Sequence, residues 1–301
     1  MSATNSSQSF SGSALVKQLF WASRPISWIN TAYPFALGYF LLTQKIDSVF
    51  IVGTLFFLIP YNLLMYGIND VFDYESDLRN PRKGGVEGSI LDKRWHKPTL
   101  FWSLALPVPF LVFLLITGNL TSNLWLLFFV FTVIAYSAKH LRFKEIPFLD
   151  SLTSASHFVG PAIVGLTMAN PKALTEPTTL LVIFAFTLWG MASHAFGAVQ
   201  DIKADREASL SSIATWFGAA NTVRFAFASY ALAAVLLLFA SLPVAVAALA
   251  CAPYLLITAP YLKLKEQDCE SANHGWRRFI WLNFFAGFIV TMLAIWFELA
   301  K

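Results

Sequence analysis

Charged residues are scarce in this chain: Asp, Glu, Lys and Arg together make up 13% of its 301 residues, about half the share of an ordinary soluble domain. Hydrophobic residues reach 57%, and the runs from Phe50 to Tyr66 and from Leu180 to Ala192 hold no charge at all. A typical water-soluble enzyme is excluded, because such runs are more easily dissolved by a bilayer than by a core of this size. No polar stretch between apolar runs exceeds about 30 residues. A separate aqueous domain therefore has nothing to be built from.

Cysteine is nearly absent as well. Cys251 lies in an apolar run and Cys269 in a polar loop, which makes neither a disulfide framework nor a metal-binding pair. The net charge of +4 comes from 21 basic and 17 acidic residues, but the basic ones are scattered between apolar runs, so no nucleic-acid partner is expected. A cleaved signal peptide is not expected either. Met1 to Ser13 is Ser-rich and uncharged, and the first apolar span follows Lys17, Arg24 and Pro25 with no small-residue cleavage site behind it. Residues 1–14 read as a disordered tail and 15–301 as one transmembrane domain.

With about 20 apolar residues needed per crossing, the sequence predicts nine transmembrane helices, at about 26–44, 48–69, 99–117, 121–138, 149–168, 177–200, 218–239, 243–262 and 278–298. Pro34, Pro60, Pro107, Pro109, Pro161, Pro253 and Pro260 fall inside them, so kinked helices around a cavity are expected. Nine alternating spans place 17 of the 21 basic residues on one side and only Lys45, Lys172 and Lys301 on the other. That asymmetry predicts a multi-pass protein of the cell membrane, with the N-terminus in the cytoplasm and the C-terminus on the opposite side. Leu15, Val16, Leu19 and Phe20 have helical spacing and suit an anchor along the cytoplasmic interface.

Acidic residues concentrate where the bilayer would end. Nine of the 17 lie in two short regions: Asp70, Asp73, Glu75, Asp77, Glu87 and Asp92 after the second span, and Asp201, Asp205 and Glu207 after the sixth. If each span continues as a helix, Asn62, Tyr66, Asn69, Asp73 and Asp77 share one face with Asp70 at its edge, and His194, Asp201 and Asp205 share another. Either run alone could be a solvated loop paired with Arg79, Arg82, Lys83, Lys203 and Arg206. Two runs with matching offsets at one membrane face argue for a shared site, since crowded carboxylates need protons, cations or a metal ion. Oxygen donors without Cys or paired His suit Mg²⁺ or Ca²⁺ rather than Zn²⁺, and two facing stripes could clamp a diphosphate.

The segment Asn69-Asp70-Val71-Phe72-Asp73-Tyr74-Glu75-Ser76-Asp77 fits an NDxxDxxxD motif, and Asp201-Ile202-Lys203-Ala204-Asp205 fits DxxxD. With Ser23-Arg24-Pro25 before the first span, these resemble the UbiA superfamily of intramembrane prenyltransferases over nearly the whole chain. The resemblance implies an all-α bundle around a central cavity in which Asn69, Asp70, Asp73, Asp77, Asp201 and Asp205 serve catalysis. It also implies that Asn69, Asp73, Asp77, Asp201 and Asp205 hold Mg²⁺ against the diphosphate of an isoprenoid donor. Family members place a Tyr and a following basic residue in the loop after the fourth span, which here holds Tyr136, Lys139, His140, Arg142 and Lys144. Where many have Lys this chain has His140, so Lys139, Arg142 and Lys144 are all candidates for the diphosphate, together with Arg24. Tyr66, one turn before Asn69, and His194 are candidate substrate contacts, each with packing as the competing role.

The runs from Asn69 to Gly88 and from Gly197 to Thr215 look most like the lycopene elongase branch. The expected reaction is transfer of a dimethylallyl group from its diphosphate to an acyclic carotenoid such as lycopene. A quinone precursor, a tetrapyrrole or a glycerol phosphate lipid as acceptor keeps the same chemistry. A transporter would also use many spans and intramembrane acids, but its site would lie near the bilayer midplane. A non-catalytic membrane subunit is a third possibility, distinguished by inertness of Asp73→Ala and Asp201→Ala.

Overall fold

Proline and capping side chains interrupt the apolar runs, and those interruptions set the helix boundaries. The computed structural model describes residues 12–78 and 91–299, and no β-strand occurs among them. Helix α1 (Gly12–Ala22) leads into α2 (Trp28–Thr43). Helices α3 (Ser48–Leu58) and α4 (Pro60–Phe72) form one broken span, which α5 (Tyr74–Asp77) prolongs by a turn. Helices α6 (His96–Ala105) and α7 (Pro107–Thr117) form a second broken span, followed by three continuous ones: α8 (Leu120–Ser137), α9 (Leu149–Ala169) and α10 (Pro177–Val199). After the short α11 (Ile202–Glu207) and α12 (Ile213–Phe217) come α13 (Ala219–Leu238), α14 (Ala252–Thr258) between 3₁₀ turns, and the long α15 (Asn273–Leu299).

Pro60, Pro107 and Pro177 each stand in a first turn, where the missing N–H has no intrahelical partner to lose. Asp47 opens α3 by accepting from the N–H groups of Val49 and Phe50, each at 3.0 Å. Reciprocal capping boxes open α8 at Asn119 and Ser122 and α12 at Ser212 and Thr215. The break at Pro60 frees carbonyl oxygens inside an apolar layer. Asn62 Nδ2 donates to the carbonyls of Phe57 (2.9 Å) and Leu58 (3.0 Å), and Thr31 Oγ1 donates to Phe57 O at 2.6 Å. Asn62, read from sequence as part of the acidic stripe, is thus a fully buried repair of the kink.

Among the described residues, eight helical segments are long and apolar enough to cross a membrane. The ninth expected span is α2, which at 16 residues is shorter and packs against α9. Close approach there requires glycine: a Cβ on Gly165 would lie 2.4 Å from the Phe35 carbonyl oxygen. The protein is therefore a multi-pass membrane protein, close to the nine-span expectation. The tail expected over 1–14 falls mostly on residues 1–11, outside the described residues, while Gly12 to Ala14 already belong to α1. Arg79, Arg82, Lys83 and Glu87 also lie outside the described residues.

Among the described residues the two largest of three apolar clusters lie in the two halves of the bundle. One gathers Phe35, Phe57, Tyr61, Phe129 and Val164 from α2, α3, α4, α8 and α9. The other gathers Phe196, Ile213, Tyr230, Tyr254 and Phe279 from α10, α12, α13, α14 and α15. A cavity between them takes its walls from both halves.

Candidate active site

The two acidic segments keep the register that the helical spacing predicts, although neither is one unbroken helix. Asp73 leaves α4 with φ −99° and ψ 2°, yet its N–H reaches Asn69 O at 2.9 Å and Asp77 N–H reaches Asp73 O at 2.8 Å. Past α10 the chain tightens so that Asp201 N–H donates to Ala198 O at 3.1 Å, and Asp205 N–H then donates to Asp201 O at 2.8 Å. Both bends occur where the apolar span ends. The carboxylates consequently gather at one end of the bundle, at the mouth of a cavity of about 440 Å³.

Asn69, Asp73, Asp77, Asp201 and Asp205 all line this cavity, as do Tyr66, Tyr136 and His194. Asn69 Nδ2 donates to Asp73 Oδ2 (2.6 Å) and Ser137 Oγ (2.9 Å), fixing one motif side chain against α8. Two cations join the lining. Lys144 pairs with Asp73, and Arg24 donates from Nη2 to Asp70 Oδ1 at 2.8 Å with its guanidinium 4.2 Å from the Tyr66 ring centroid. Burial is the largest influence and opposes the Arg24 charge, but Asp70, Tyr66 and Asp77 together outweigh it and hold the Arg24 pKa above the ordinary arginine value.

Three sequence candidates stand elsewhere. Asp70 is buried behind the wall on Arg24 and does not line the cavity. Lys139 is exposed at the end of α8. Arg142 sits at the rim: its Nε donates to Glu145 at 2.6 Å, a bond that raises its pKa, and its Nη2 lies 3.7 Å from Asp73 Oδ1. Among the loop cations it is Lys144 that reaches the cavity.

Sequence reasoning overlooked Asp150. It is fully buried at the start of α9, where Oδ1 accepts from Ser151 N–H at 2.6 Å and Oδ2 accepts from Ile213 N–H at 2.7 Å. His194 Nε2 lies 3.6 Å from the same Oδ2. A lone acid at the start of an apolar span was the available signal. Also unforeseen was the deeper wall, where Trp189, Phe279 and Trp276 stack in series with centroid separations of 6.1 and 4.7 Å.

Among the described residues, no group of three or more His, Cys, Asp or Glu is arranged to hold a metal ion alone. The donors still suit Mg²⁺, which usually takes one or two carboxylates and completes its octahedron with water and phosphate oxygens. Asp73, Asp77, Asp201, Asp205 and the Asn69 amide offer such oxygens around one cavity.

An apolar helical bundle whose polar cavity opens at one end, acidic on two walls and cationic on a third, has the architecture of a membrane-embedded enzyme. Residues 31–284 match the UbiA prenyltransferase family. The C(50) beta-cyclic carotenoids biosynthesis protein LbtBC of Dietzia sp. (strain CQ4) is 58% identical over 283 residues, which are 94% of this chain and 65% of that protein. The chain thus spans less than two thirds of the Dietzia protein's length. A lycopene elongase/hydratase of Corynebacterium glutamicum is 51% identical over 283 residues, covering 93% of this chain and 97% of that one. In fold, a UbiA homolog from Archaeoglobus fulgidus bound to DMAPP and Mg²⁺ superposes with a TM-score of 0.64 at 19% identity, covering 89% of this chain and 98% of the other. The chain belongs to the UbiA prenyltransferase family, as an intramembrane prenyltransferase.

Proposed function

We propose that this protein transfers a dimethylallyl group from its diphosphate to the end of an acyclic carotenoid such as lycopene, with Mg²⁺ as cofactor. The observation that carries the reading is one cavity with two zones. Its mouth holds Asp73, Asp77, Asp201, Asp205, Lys144 and Arg24, and its interior is walled by Phe158, Trp189, Phe279, Ile280 and Phe284. A donor with an anionic head and a short apolar tail matches that division. The carotenoid acceptor is supported by the names of the Dietzia and Corynebacterium relatives, and the diphosphate donor by the DMAPP and Mg²⁺ bound to the Archaeoglobus homolog.

The barrier is ionisation of an allylic carbon–oxygen bond. Asn69, Asp73, Asp77, Asp201 and Asp205 would hold Mg²⁺, which would supply positive charge to the leaving diphosphate. Lys144 and Arg24 add preorganised charge of the same sign, and their salt bridges to Asp73 and Asp70 hold them in place before substrate arrives. The acceptor's terminal double bond then attacks the allylic carbon. Apolar helices around the inner zone keep bulk water from capturing the cation and admit a long hydrocarbon from the lipid. Tyr66 and Tyr136 also line the cavity, and the face of such a ring favours a cation.

The acidic end is read as the cytoplasmic side of a cell membrane; the clustering of basic residues there supports this reading, and a water-soluble diphosphate is available on that side. Production of the protein in a lycopene-accumulating bacterial host tests the reading. Carotenoids heavier than lycopene by one or two five-carbon units are expected in the extract. Unchanged lycopene alongside well-folded membrane protein would move the chain to another acceptor.

A further inference from the structure

Attack by the acceptor's double bond leaves positive charge on a tertiary carbon, and one proton must depart before the product is neutral. It leaves either from a neighbouring C–H, whose electrons form the new double bond, or from a water molecule whose oxygen bonds the tertiary carbon. The cavity interior is apolar, so the proton needs a specific acceptor. The leaving diphosphate is one base in the chamber, but the carboxylates and cations at the mouth hold it at the polar end.

We infer that His194 is the catalytic base that takes this proton, with Asp150 as its positioning residue. His194 lines the cavity from α10, and Asp201, which also lines it, follows seven residues later just past the end of that helix, a separation of about 10 Å at the helical rise. That separation suits a diphosphate at the mouth and a five-carbon tail below it. Nε2 faces the fully buried Asp150 carboxylate at 3.6 Å, and Nδ1 makes no hydrogen bond among the described residues. The carboxylate is itself pinned, accepting from Ser151 N–H, Ser151 Oγ at 3.1 Å and Ile213 N–H. With Nε2 set 3.6 Å from a fixed carboxylate, the ring is oriented so that Nδ1 is the nitrogen left to take a proton.

The surroundings favour this pair over its neighbours. Tyr136 stands edge-on between two histidines, its ring centroid 6.4 Å from His194 and 5.1 Å from His157. His157 is buried in α9 with Nε2 unpartnered and does not line the cavity. Among the described residues no carboxylate pairs with it as Asp150 does with His194. An imidazole–carboxylate dyad that served only packing would have no need to border the cavity.

The inference rests on the prenyl-transfer reading, and the test separates the two. Purified protein in lipid receives dimethylallyl diphosphate, Mg²⁺ and lycopene, and both the C–C product and the diphosphate released are measured. His194→Gln, which keeps a hydrogen-bonding side chain but cannot take a proton, should lower the yield of C–C product per diphosphate released by roughly 100-fold. His194→Ala should do the same and recover when imidazole is added to the medium, a rescue that a packing defect does not show. Asp150→Asn should fall less and gain nothing from imidazole. An undiminished product-to-diphosphate ratio in His194→Gln, with the wild type turning over, overturns the inference alone. A wild type that adds nothing to lycopene overturns the function reading and the inference with it.

Discussion

Arg24 and Asp70 are joined by a 2.8 Å salt bridge across the bundle mouth, 46 residues apart in sequence, with Asp70 buried and Arg24 lining the cavity. The second residue of the first motif therefore acts on the site through a cation. A buried charge that loses its partner is costly, so the two residues should behave as a unit. Arg24→Ala and Asp70→Asn are each expected to lower kcat/KM by roughly 100-fold, and the double variant by scarcely more than either single. A double-mutant cycle on turnover reads this coupling, and additive losses would refute it.

Asp73 and Asp205 come from different segments, each just past the end of an apolar span, and exchange of Asp for Asn keeps nearly the same shape while removing the charge. Asp73→Asn and Asp205→Asn should each reduce turnover by about 100-fold or more while the detergent-solubilised protein keeps its size-exclusion profile. Wild-type turnover in either variant contradicts the assignment of these residues to the diphosphate site.

Lys144 reaches the cavity and pairs with Asp73, whereas Lys139 is exposed. Lys144→Ala should cost about 100-fold or more in turnover, and Lys139→Ala should leave it within a factor of two or so, as surface changes usually do. Steady-state kinetics on the two variants decides which loop cation serves.

Gly165 holds α9 against the backbone of α2, and its missing Cβ would meet the Phe35 carbonyl at 2.4 Å. Backbone cannot yield as a side chain can. Gly165→Val is expected to cost about 1–3 kcal/mol by overpacking, read as a lower Tm in detergent. Gly287→Ala, with no heavy atom within 4 Å of the added Cβ, should cause no such loss.

Much of this site was legible before any coordinates, because its signals were local. Charge-free runs and the sorting of basic residues gave the spans, and helical arithmetic brought Asn69, Asp73 and Asp77 to one face and His194, Asp201 and Asp205 to another. What stayed hidden depended on partners distant in sequence. Asp70 lies at the edge of the predicted stripe, and its partner Arg24, which lines the cavity in its stead, is 46 residues away in sequence. Asn62 has the right spacing for the stripe, but the carbonyls freed by Pro60 claim it. Asp150 carries no motif, and its importance follows from Ile213 and His194 converging on it from other helices. The choice among Lys139, Arg142 and Lys144 was set by a loop whose turn sends one cation inward and leaves another in solvent.

The central claim is metal-dependent prenyl transfer from a diphosphate at the cavity mouth. It is tested most directly by mass spectrometry of lycopene incubated with purified protein in lipid, dimethylallyl diphosphate and either Mg²⁺ or a chelator. The account predicts five-carbon mass gains with Mg²⁺, none with the chelator, and recovery when Mg²⁺ is restored in excess. Equal gains with and without chelator would contradict the metal site, and no gain under any condition would contradict lycopene as the acceptor.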